Sequence, residues 1–303
     1  VAFNVPEDRH GYFGEIDHRF RLLLHKGIIT GIDQIRLNAW LANFTSPEDK
    51  YLAAHILAGL TYRSDAMVRS SFQHLVHCEL PRVLRAAAGL VYPDLNEFDR
   101  VLQEGDESCP LRFVAVDGTF EETPGKSGAV VIRQFRRHLG VSKKLLCRPE
   151  NIDELPDTVK ALVFVDDMVG TGRQFVTFAE HYRLASHVGK RALIYCPLMA
   201  FDEGTKKIAK ALDWLEIHPV ETLSAGHRFF RPAEADATLW GADSVNLVAD
   251  VRSHVADLCK RNGLPVKTRH SLDLVVAFEH AVPNNSMPLL SIKTARWQPL
   301  FDR

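Results

Sequence analysis

Asp166 and Asp167 stand side by side and run directly into Met168-Val169-Gly170-Thr171-Gly172-Arg173. Two neighbouring carboxylates offer acceptors for the vicinal hydroxyls of a sugar, or one of them can hold an ammonium or a magnesium ion. Gly170 and Gly172 let the backbone turn tightly and approach a ligand. The amides of residues 170–173, with the Thr171 hydroxyl, can then surround a phosphate where a helix begins. Inorganic phosphate alone would be repelled by the carboxylates, so the combination points to a phosphorylated sugar that presents hydroxyls beside its phosphate.

Flanking residues must position these groups. Residues 161–165 are apolar and rich in β-branched types, as a strand buried between helix layers requires, and residues 175–182 carry apolar residues at helical spacing. The carboxylates are thus expected where a strand ends, at the edge of an open α/β sheet where ligands bind. A Walker A loop is excluded because no Gly-Lys-Ser/Thr follows the glycines. A dinucleotide fingerprint is excluded because two carboxylates occupy the turn where its first glycine belongs.

A second constellation comprises Asp117-Gly118, Lys126-Ser127-Gly128 and then Arg133, Arg136 and Arg137. Small residues that expose amides, with arginine nearby, suit the negative charge that develops on a departing diphosphate. Arg133 and Arg137 are four apart and can share a helix face; the adjacent Arg136 and Arg137 cannot. An ordinary glycine turn and a basic helix surface would give the same letters. A third group, Glu279-His280 with Pro283-Asn284-Asn285-Ser286-Met287-Pro288, forms a constrained loop able to recognise a base, a nucleotide or a partner's backbone, or simply a turn.

The 303 residues can hold one large or two ordinary domains, and the net charge of -1 gives no general attraction to nucleic acid. No run reaches membrane-spanning length and no signal-type core follows a basic start, so no membrane association and a cytoplasmic location are expected. The five cysteines are dispersed, and His74, His77 and Cys78 read as a structural helix face rather than a metal cluster. Cys196 reads as a buried strand residue.

Residues 8–90 are helical in pattern, broken at Gly27, Gly31 and Ser46-Pro47, with Pro81 a kink or boundary. After a turn at 105–110 strands and helices alternate, which suggests βα units around a mostly parallel sheet. The expected division is a helical or winged-helix-like domain over 1–105 and an α/β domain over 106–303. Residues 1–100 carry 11 Lys/Arg against 12 Asp/Glu. That balance gives nucleic-acid binding weak support and leaves open a protein-partner module or a cap over the site.

The run Leu162-Val163-Phe164-Val165-Asp166-Asp167-Met168-Val169-Gly170-Thr171-Gly172 resembles the phosphoribosyl-diphosphate motif of type I phosphoribosyltransferases. Gln174 departs from the family's small or hydroxyl residue and makes the far rim bulkier. With the 127–136 helix, Pro197-Leu198-Met199-Ala200 and the closing Pro283–Leu289 segment, the chain resembles a divergent bacterial group of phosphoribosyltransferase-like proteins with a helical N-terminal region, some of them in defence systems, including retron-associated ones. The resemblance implies a type I phosphoribosyltransferase-like sheet flanked by helices. It implies that phosphoribosyl diphosphate or another ribose 5-phosphate ligand binds with magnesium held through the ligand's oxygens. Val169, Gly170, Thr171, Gly172 and Arg173 would cradle the 5′-phosphate, Ser127 and Gly128 the diphosphate. Asp166, Asp167 and Arg133 would serve transfer or hydrolysis of the ribosyl group. The alternative is a non-catalytic phosphosugar or nucleotide sensor, or a structural partner in a complex with protein or nucleic acid.

Overall fold

The computed structural model describes residues 3–116, 127–231, 240, 243 and 245–302, with the Ser127 side chain outside that description. The chain divides into two compact units: residues 1–65 with 224–303, and residues 66–223. The change from helices to strands near 105 is a change of local pattern, whereas the units follow contacts.

In the first unit, α1 (Tyr12–His25), α2 (Gln34–Leu41) and α3 (Pro47–Ala58) precede a short strand, β1 (Thr61–Arg63). Gly27 and Gly31 adopt positive φ, +66° and +76°, and break the helical run there. Pro47 begins α3 behind a capping box between Ser46 and Asp49, which satisfies first-turn amides. Asp49 is buried. Burial alone would raise its carboxyl, but the hydrogen bond with His254 and the charge of Arg261 overcome this and bring it down to about 2.

The second unit opens with α4 (Asp65–His74), a π turn over Leu75–Glu79 and α5 (Leu80–Ala88), with Pro81 in the first turn of α5, and then α6 (Leu95–Glu104). The alternation follows: β2 (Leu111–Ala115), α7 (Ser127–Leu139), β3 (Leu146–Cys147), β4 (Ala161–Val169), α8 (Arg173–His181), β5 (Ala192–Phe201), α9 (Asp202–Ala211), β6 (Glu216–Ile217) and β7 (Glu221–Leu223). The remaining elements, α10 (Val248–Arg261) and β8 (Val276–Phe278), return to the first unit, where β8 pairs in parallel with β1.

The sheet of the second unit is parallel, in the order β3-β2-β4-β5-β6, with β7 beside the far end of β5. The expected α/β fold, a parallel sheet flanked by helices after a helical N-terminal region, is thus observed. The chain steps outward from β2 to β3, then crosses back past β2 to β4 and on to β5. Its winding reverses between β2 and β4, and such a reversal opens a crevice at the carboxyl ends of those strands.

Helices cover both faces. Leu162 and Phe164 of β4 pack with Phe175 and Phe178 of α8 and Ile208 of α9, while Phe113 of β2 meets Phe135 of α7. Residues 161–165 are buried throughout, which explains their unbroken apolar run. Phe164 lies edge-on to Phe175 and Phe178 at 5.7 and 5.8 Å between centroids. Truncating a fully buried phenylalanine costs about 3–5 kcal/mol. Phe164→Ala should therefore lower unfolding stability by about that amount in urea titration, and a loss under about 1 kcal/mol would contradict this packing.

Candidate functional site

The site is built on an over-long strand. β4 does not stop at Val165, as its apolar run suggests, but continues through both carboxylates to Val169. Its pairing with β5 extends that far, through Asp166↔Pro197, Met168↔Met199 and Val169↔Ala200. The paired register with β2 ends earlier, at Ala115↔Val165. Backbone pairing to β5 thus holds the acidic residues in extended form, and they project beyond the end of β2 at the winding reversal.

The two carboxyls have different surroundings. Asp166 is buried, its Oδ2 accepts the Tyr195 hydroxyl at 2.7 Å, and its Oδ1 accepts the Asp167 amide at 2.9 Å. Burial first, and the neighbouring Asp167 charge second, push the Asp166 carboxyl well above the usual carboxylate range, against the Tyr195 hydrogen bond that lowers it. Asp167 is 9% exposed, and its Oδ1 accepts the Met168 amide at 2.7 Å.

The Tyr195 ring stacks on Phe175 with centroids 3.8 Å apart. One side chain of β5 therefore touches both the acidic pair and the first turn of α8. Tyr195 carries no signal in the sequence motif, because its register opposite Phe164 exists only once the sheet has formed.

The glycine turn is equally constrained. Gly172 adopts φ +75° as the N-cap of α8, which has no side-chain cap hydrogen bond. A β-carbon there would come 2.5 Å from the Gly204 carbonyl oxygen and 2.9 Å from Ile208 Cγ1. A β-carbon on Gly204 would come 2.0 Å from the Gly170 carbonyl oxygen. The turn is thus backed by the first turn of α9, in a fit that admits glycine alone at both positions. Gly204 was not evident from the motif; only its distant partner shows why it is glycine. Val169 and Gly170 are buried, Thr171 is half-buried, and Arg173 and Gln174 are exposed on the rim.

The second constellation is only partly in view. Asp117, Gly118 and Lys126 lie outside the described residues, as does the Ser127 side chain. α7 returns the chain from β2 to the parallel β3, so its first turn, with buried Gly128, belongs at the carboxyl edge. Arg133 is exposed in mid-helix, about 9 Å along the axis from Ser127, and makes no contact with the acidic pair among the described residues.

The asparagine loop belongs to the first unit. Asn285 is buried, its Nδ2 donates to the His270 carbonyl at 2.7 Å, and its carbonyl accepts the Leu272 amide. These contacts make Asn285 a brace for the segment leading into β8. The strand there spans Val276–Phe278. Cys196 is buried in β5, as its surroundings in sequence indicate.

A family model described as PRTase-CE matches residues 37–303. The chain belongs to the PRTase-CE family. A search of the curated proteins found no match. PRTase-CE membership makes this a phosphoribosyltransferase-like protein, and the match spans all of the second unit and, from residue 37 on, the first. Among the described residues no helix is long and apolar enough to cross a membrane, and no group of three or more His, Cys, Asp or Glu side chains could hold a metal ion.

Keeping Asp166 buried has a consequence for stability. An acid whose folded pKa is raised binds its proton more tightly folded than unfolded, so stability falls as pH rises from about 4 through the folded value. Asp166→Asn keeps the shape and removes the titration. Its thermal midpoint should change less with pH than the wild type's and equal or exceed it at pH about 7.5. A variant midpoint well below wild type across the whole range would contradict the assignment.

Proposed function

We propose that this protein binds phosphoribosyl diphosphate, or a related ribose 5-phosphate ligand, at the carboxyl edge of β4. The observation that carries the reading is the acidic pair held beyond the end of β2 and followed directly by a helix start without a side-chain cap. The amides of 169–173 and the Thr171 hydroxyl would take the 5′-phosphate, aided by the positive end of α8. Asp167 would accept the ribose hydroxyls, and Asp166, held by Tyr195, would fix its neighbour and the turn.

In the catalytic form of the proposal, the bond from ribose C1 to the diphosphate oxygen breaks as a bond from C1 to an acceptor oxygen or nitrogen forms. The acceptor's proton passes to solvent or to a carboxylate, and the diphosphate leaves with the bonding electrons. Ser127, Gly128 and Arg133 would meet its growing charge. Asp167 alone would suffice for a magnesium ion held chiefly by the ligand's own oxygens, because such ions need only one or two protein carboxylates. When bound, magnesium would neutralise part of the diphosphate charge.

The second reading, a phosphosugar sensor, is favoured by the bulky rim at Arg173 and Gln174 and by the inward turn of Asp166. The helical residues 1–100 would carry contacts to a protein partner. The resemblance noted in the sequence extends the proposal to a role in a defence system.

Calorimetry with phosphoribosyl diphosphate and magnesium should show binding by wild type, weakened about tenfold or more by Asp167→Ala, the loss expected for a hydrogen bond to a charged group. Unchanged affinity in a folded Asp167→Ala protein would sink the ribose assignment. If turnover occurs, Arg133→Ala should slow diphosphate release about 100-fold with little change in melting temperature. Donor binding without release, under every acceptor condition, would decide for the sensor.

A further inference from the structure

The second unit carries a segment whose charge the donor site does not use in full. Residues 127–149 contain six Lys/Arg and no Asp/Glu, in a chain whose totals of 37 and 38 nearly balance. They are Arg133, Arg136, Arg137, Lys143, Lys144 and Arg148; all are exposed except the half-buried Arg136.

Several arginines elsewhere in this protein have acidic partners, although the exposed Arg69, Arg85 and Arg173 have none among the described residues. Arg21 pairs with Asp17, Arg82 with Glu79, Arg100 with Glu97 and Arg183 with Asp153. Among the described residues, none of the six cations has such a partner. Asp106, the acid that feels Lys144, is already engaged by the Ser108 hydroxyl and amide. Arg133 and Arg137, like charges four apart on one helix, repel one another, so their arrangement costs stability unless an anion covers it.

Placement adds an extent and a direction. Arg133 and Arg137 lie four apart on the exposed side of α7, opposite the buried Val131 and Phe135. The chain reverses at Gly140, and β3 brings it back parallel to β2 along the sheet's edge, leaving Arg148 at the level of Ala115. The strip therefore runs the length of the edge and returns to the carboxyl end, where the donor site opens. It is longer than one diphosphate needs, since Arg133 alone lies about 9 Å of helix axis from the α7 C-terminus. No large apolar residue is exposed between 127 and 149, which argues against a membrane surface. Arginines in the majority suit phosphate, which they bind with two parallel donors.

We propose that this edge, from α7 through Arg148, binds the phosphate backbone of a nucleic acid strand and leads it toward the carboxyl end of the sheet. The inference stands independently of the donor reading.

The test is fluorescence anisotropy of the full chain with labelled single-stranded DNA and RNA of about 20 nucleotides, at about 50 to 200 mM salt. Wild type should bind, with affinity falling steeply as salt rises. The variant Arg137→Gln/Lys143→Gln/Lys144→Gln/Arg148→Gln, which spares Arg133, should bind at least about tenfold more weakly, with a log–log salt slope smaller by about 3. The lighter pair Arg137→Gln/Arg148→Gln should give about half that change in slope, and serves if the fourfold variant misfolds. Donor affinity measured by calorimetry should be the same in all of them. No binding of either strand at the lowest salt, or equal affinity and slope in a folded variant, would overturn the proposal. Competition by polyglutamate as strong as by unlabelled oligonucleotide would overturn the assignment to nucleic acid. Wild type that binds a strand but no phosphoribosyl diphosphate would instead sink the donor reading alone.

Discussion

The close approach of the Gly170–Gly172 turn to the first turn of α9 is the constraint on which the site depends. With a β-carbon at Gly204 only 2.0 Å from the Gly170 carbonyl oxygen, neither element can keep its place if a side chain is added. The contact fixes the start of α8 and hence the direction of its first amides. A phosphate would have to use the other side of the turn. A turn braced from behind needs little reordering when an anion arrives, and that lowers the entropic cost of binding.

Tyr195 extends the same rigidity to the acidic pair. Its ring lies on Phe175 and its hydroxyl on Asp166, so the two halves of the cradle share one support from β5. Keeping a carboxyl inside the sheet is unfavourable wherever the group must ionise, as the upward shift of Asp166 records. A desolvated carboxyl of this kind is held in place by the structure around it, and such perturbed acids concentrate at sites that act on ligands. Here the hold comes from β4–β5 pairing that continues past the carboxylates.

Much of this was legible in the residues themselves. The unbroken apolar run at 161–165 gave a strand buried on both faces, and the glycines after the carboxylates gave the turn, because both are local consequences of side-chain type. The length of β4 was not legible: Asp166 and Asp167 are poor strand formers, held extended only by their pairing with β5. Tyr195 and Gly204 escaped notice for a related reason, since their partners are 29 and 34 residues away in sequence and meet them only through sheet register and helix packing. The asparagine loop shows the converse. Its letters invite a recognition role, yet the Asn285 side chain braces its own backbone. The pairing of β1 with β8, which brings residues 61–63 to 276–278, had no local signature either.

Hydrogen–deuterium exchange of the full chain, with and without phosphoribosyl diphosphate and magnesium, reads the phosphate-binding turn itself. The amides of 169–175 should exchange markedly more slowly with the ligand present, because those at the start of α8 have no acceptor within the helix and would gain one in the phosphate. Unchanged exchange in that segment at a saturating ligand concentration, with protection appearing elsewhere, would place the phosphate away from this turn.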